Sequence, residues 1–120
     1  MLHIYRRAVS IMKQFISNYI ILPDGRVLNN YIVKVSQEGY LIELLPFSEE
    51  LAYTIYVPNP ILIIPEYISY SVDYIFKSSS DIAEFCNLLS RYQSLQSLNK
   101  GDKVTIMELD FQQKYYSILN

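Results

Sequence analysis

Residues 61–76 read ILIIPEYISYSVDYIF, and the period of their apolar positions decides the fold class. Ile61 to Ile64 is apolar throughout, the pattern of a short strand covered on both faces. Beyond Pro65, the residues Ile68, Tyr70, Val72, Tyr74 and Phe76 alternate with Ser69, Ser71, Asp73 and Ile75. That alternation predicts a half-buried strand over 68–76, with Ser71 and Asp73 turned towards water. Tyr67, Tyr70 and Tyr74 would also fit a helical stripe, but β-branched and aromatic residues favour a pleated surface.

Upstream, the chain reads as strands and turns. Residues 14–22, QFISNYIIL, form a first strand that stops at Pro23-Asp24-Gly25, a strong turn signal. Residues 31–36, YIVKVS, and 40–45, YLIELL, flank Gln37-Glu38-Gly39 as an antiparallel hairpin. Pro46 ends the second of these, and 48–50, SEE, form an exposed link. Residues 52–57, AYTIYV, make a further strand, stopped by Pro58-Asn59-Pro60.

Downstream, Ser78-Ser79-Ser80-Asp81 opens a helix expected at about 81–96. Asp81 and Glu84 resemble a capping box, and Ile82, Phe85, Cys86, Leu89 and Tyr92 recur at helical spacing. Residues 103–109, KVTIMEL, read as a strand, and 114–119 as a last strand or turn. The expected fold is mainly β with one α-helix, a β-sandwich-like antiparallel or mixed sheet of about seven strands. Residues 12–120 are expected to form one β-rich domain. Residues 1–11 read as an N-terminal extension. They are either a short amphipathic helix, with Tyr5, Ala8, Val9 and Met12 on one face, or a stretch upstream of a natural start at Met12-Lys13.

Composition narrows the function classes. The chain has 120 residues, 51% hydrophobic and 18% charged, enough apolar content for one packed core. Net charge is −2, and Arg6-Arg7 is the only adjacent basic pair, which argues against a nucleic-acid partner. No apolar run approaches the roughly 20 residues of a membrane span, and no signal peptide is legible. The expected setting is therefore cytoplasmic, without membrane association. One cysteine excludes an internal disulfide framework. Twelve tyrosines without a tryptophan predict half-buried rings on a pleated surface.

Catalytic groups are scarce. His3 is the sole histidine and lies near a terminus; Cys86 is the sole cysteine and sits in the helix stripe as a small hydrophobe. Nitrogen and sulfur ligands usually hold a catalytic transition metal, so no such site is expected. Gly25, Gly39 and Gly101 are isolated turn residues, not parts of a phosphate loop. Glu49-Glu50 reads as solvated loop charge, and Asp102 and Asp110 as turn residues at the ends of a strand. No catalytic residue, cofactor or metal ligand is expected.

Three segments together resemble a known family. Residues 14–64, chiefly through PDGRVLNNYIVKVSQEGYLIEL at 23–44, resemble the opening strands of the small β-sandwich domain of the amidohydrolase superfamily, most like its deaminase and chlorohydrolase branch. IPEYISYSVD at 64–73 resembles the entry into that family's metal-binding barrel. Pro65 matches; Glu66 replaces a glycine, and Ser71 and Asp73 stand where the family's His-x-His binds metal. SLNKGDKVTIMELD at 97–110 resembles the return to the sandwich, through Ser97, Leu98, Gly101, Leu109 and Asp110. Val104 and Thr105 depart from the usual Ala-Asp. A barrel needs roughly 250 residues; about 24 separate these segments here.

The resemblance implies a sandwich domain without its barrel, and so without metal, general base or substrate pocket. The expected role is a non-catalytic interaction or structural module with a protein partner or a second copy of itself. The alternative is a small-molecule binder with a Tyr-lined pocket between sheet and helix.

Overall fold

A computed structural model describes residues 12–48, 53–68, 71–92 and 98–120. The expectations for 1–11, for His3 within them, and for Glu49-Glu50 lie outside the described residues. Among the described residues seven strands are present: β1 (Lys13–Ile21), β2 (Val27–Val35), β3 (Leu41–Pro46), β4 (Thr54–Tyr56), β5 (Ile61–Pro65), β6 (Val104–Asp110) and β7 (Tyr115–Ile118). Two helices, α1 (Val72–Lys77) and α2 (Ile82–Tyr92), lie between β5 and β6 in the chain.

The fold is mainly β, as the periodicity predicts. All seven strands share one mixed sheet in the order β3-β2-β1-β5-β6-β7, with β4 also pairing to β1. β1 and β2 are antiparallel, as are β2 and β3, β5 and β6, and β6 and β7; β4 and β5 run parallel to β1. β4 and β5 are thus successive segments laid along the same strand and parted by Pro58-Asn59-Pro60. Proline cannot donate to a ladder, so the break falls there. The crook is fixed from both sides: Ser17 Oγ donates to the Asn59 carbonyl at 2.9 Å, and Asn59 Nδ2 donates to Glu108 Oε2 at 3.1 Å.

The sheet curls on itself without closing. The turn before β3 reaches the start of β6 through a Tyr40–Lys103 bridge, with Leu41 N–H donating to the Asp102 carbonyl and Val104 N–H to that of Gly39. Farther along β6, the Asn120 side chain stands in for a strand residue. Its Oδ1 accepts from Ile106 N–H and its Nδ2 donates to the Val104 carbonyl.

Two apolar cores result, one on each face. Phe15, Ile20, Val33, Val35, Leu41, Ile61, Ile63, Val104 and Ile106 fill the inside of the curl. Ile21, Leu62, Met107 and Leu109 face outward and are covered by Ile75 and Phe76 of α1 and Phe85 and Leu89 of α2. Alternation along β5 explains why a continuous apolar run was needed there: Ile61 and Ile63 enter one core, Leu62 the other.

The β1–β2 hairpin departs from simple alternation. Phe15 and Ile20 pack in the same core although they are five positions apart, an odd offset; so do Leu28 and Val33. The ladder skips the Asn18–Asn30 position, and Asn30 has φ 57°. Asparagine tolerates this left-handed conformation better than most residues, and there the strand pair turns its faces over.

The 68–76 expectation is corrected. Val72–Lys77 is helical, not extended. Val72, Ile75 and Phe76 point to the core at i, i+3 and i+4, while Tyr74 is exposed. Ser71 turns to water as anticipated, but as a helix cap. Among the described residues, a short helix is thus added ahead of the one expected. The longer helix spans Ile82–Tyr92, and 93–97 lie outside the described residues.

Candidate functional site

The residues to test are those that align with the metal-binding edge of the resembled family. They lie beyond the end of β5. Pro65 pairs with Val104 of β6, and Glu66 N–H donates to the Lys103 carbonyl, so the chain is still tied to the sheet there. Of the three segments that resemble the family, 64–73 starts at the end of β5 and 97–110 ends in β6, and these two strands are direct neighbours in register from Ile61–Glu108 to Pro65–Val104.

Ser71 is extended, with φ −88° and ψ 108°, and its Oγ accepts from Tyr74 N–H at 3.2 Å. This is an N-cap, satisfying one of the donors a helix start leaves unpaired. Asp73 follows in the first turn, where a carboxylate suits the positive end of the helix dipole. One of its oxygens, Oδ1, accepts from the Tyr116 hydroxyl at 3.0 Å. Lys77 Nζ stands 3.9 Å from that same atom, one turn along, on a face open to solvent.

A second cation closes the far end of α1. Lys114 Nζ donates to the Phe76 carbonyl at 3.2 Å and lies 5.4 Å from the centre of the Phe76 ring. The β6–β7 hairpin thereby grips α1 at both ends, through Tyr116 of β7 at the start and Lys114 of the turn at the finish. Beneath, Phe76 meets Phe85, Phe111 and Tyr116 edge to face, at centroid distances of 5.1–6.1 Å. These contacts fill the space between helices and sheet with rings.

The electrostatics match a structural clasp. The Tyr116 phenol is held above its ordinary pKa chiefly because its hydrogen bond goes to Asp73, and further by burial and by the nearby negative charge. Tyr67 is raised as well, first by burial and then by Asp102. Burial also pushes the Cys86 thiol up. A raised thiol pKa is the opposite of what a nucleophilic cysteine needs.

The remaining acids are largely committed to local structure. Asp81 Oδ1 accepts from Glu84 N–H, while Glu84 Oε1 accepts from Ser80 N–H, one residue earlier than in the capping box anticipated. Asp102 accepts from Asn99 N–H, and Asp110 from Gln112 and Gln113 N–H, as turn residues do. Asp24 pairs with Arg26, and Lys34 with Glu43. Among the described residues, no group of three or more His, Cys, Asp or Glu could hold a metal ion. The metal of the resembled family does not fit Ser71 and Asp73: one hydroxyl caps a helix, and one carboxylate oxygen takes a phenol hydrogen.

The sequence reading missed Tyr116 and Lys114. Their partners lie 43 and 38 residues away in the chain, so only the β6–β7 turn reveals them. Asp73 with an acid's usual place in a first helical turn, and Lys77 in the last, were the local signals of α1.

No family model matches the chain, and no curated protein does. Among solved structures it is similar to one described as "putative prolidase from Bifidobacterium longum" at 16% identity and a TM-score of 0.34. The match covers 55% of this chain and 18% of that one. A likeness of that size carries no chemistry across.

Proposed function

We propose that this chain is a non-catalytic, amidohydrolase-like β-domain that serves as an interaction or structural module and associates with a second copy of itself. The observation that carries the reading is the use of Ser71 and Asp73 as cap and clasp of α1, at the positions that align with the family's metal-binding histidines. Catalysis needs a metal or an activated group; here those side chains hold a helix.

The position of the helices supports the same reading. α1 and α2 occupy the only long connection between β5 and β6 among the described elements, where the resembled enzymes carry their barrel. They cover the outer sheet face themselves, so the domain buries that face without a barrel. The rings packed beneath them favour a module over a binder with a pocket at that place.

An edge remains for association. Among the described residues, β4 pairs only with β1. Val57 N–H donates to Ile16 O, so strand alternation turns the main-chain groups of Thr54 and Tyr56 away from β1. Tyr53, Ile55 and Tyr56 are all more than half exposed, and no charge lies among residues 53–56. Edge strands are commonly protected by charges; among the described residues this one has its shortness and the nearby prolines instead.

The test is sedimentation of the protein over a wide concentration range, beside an amidase and deaminase screen with added divalent metal. Concentration-dependent association that Ile55→Lys abolishes is expected, with no turnover. A strict monomer at every concentration overturns self-association, and metal-dependent turnover overturns the non-catalytic reading.

A further inference from the structure

We draw no further inference here: the strongest candidate, the face of β1, β2 and β4 where Gln14 Oε1 and Thr54 Oγ1 lack hydrogen-bond partners beside the buried Ile32, has nothing among the described residues to show what covers it.

Discussion

The Tyr116 hydroxyl donates to Asp73 Oδ1 at 3.0 Å, joining the last strand to the first turn of α1 across 43 residues of chain. The bond sits at the surface, with more than half of the Asp73 side chain exposed. Its strength is therefore that of a screened pair, below about 1 kcal/mol. Tyr116→Phe keeps the ring against Phe76 and removes only the hydroxyl. Urea unfolding near neutral pH should show a loss of that size with an unchanged slope.

The same pair has a definite pH dependence. In the folded chain the phenol keeps its proton to higher pH than in the unfolded chain, whose ordinary value is near 10. Its stabilising contribution is therefore complete below about pH 10 and is lost as pH climbs through the raised folded value. The gap between wild type and Tyr116→Phe should narrow when urea midpoints at about pH 8 and about pH 11 are compared. A gap that widens at the higher pH would mean that the phenol is not the donor.

Gly25 and Gly101 offer a matched test of how closely α2 approaches the β1–β2 turn. Both have φ of +90°. A methyl on Gly25 would run into the Cys86 main-chain carbonyl, whereas one on Gly101 would meet open space. Gly101→Ala should cost about 1 kcal/mol, from left-handed strain alone. Gly25→Ala should cost appreciably more, on the order of 2–4 kcal/mol, because a helix must shift. Equal losses in chemical denaturation would refute the close approach.

Phe76 is fully buried and touches three other rings. Phe76→Ala should destabilise by about 3–5 kcal/mol. That is a large share of the roughly 5–15 kcal/mol typical of a domain. Calorimetry should show a much lowered melting temperature, or a broad transition if α1 detaches first. Ser71→Ala, by contrast, removes only a cap and should cost about 1 kcal/mol, recovered by Ser71→Asp.

Cys86 should be a poor nucleophile. Its thiol is half-buried against the outer core and its pKa is raised. Reaction with an aromatic disulfide reagent at about pH 8 should be slow in the folded protein and become fast in denaturant. Rapid labelling of the native chain would contradict the burial.

Most strands were legible because their cores demand it. Ile61 to Ile64 had to be apolar at every position to serve two cores, and Pro58-Asn59-Pro60 could only be a break. Residues 72–77 were misread for a physical reason as well. Tyr74 is apolar enough to sustain an alternating pattern, yet it is a solvent-facing residue of a helix. The adjacent burial of Ile75 and Phe76, impossible on one face of a flat strand, is the feature that alternation conceals. β2 begins four residues before the expected start, at Val27, because Asn29 and Asn30 look like turn residues. They are instead where the hairpin turns over. The clasp from Tyr116 and Lys114 had no local signature, since sequence periodicity carries no information about partners brought together by a distant turn.

That turnover gives the first hairpin two reading frames. Its outer half and its half near Pro23 are out of phase with each other by one residue, and the limbs stay matched because both change phase opposite one another. Removing Asn18 alone, or Asn30 alone, would leave one limb in the old frame and the other in the new. Only the paired deletion would restore a common phase, so these two asparagines have to be gained or lost together.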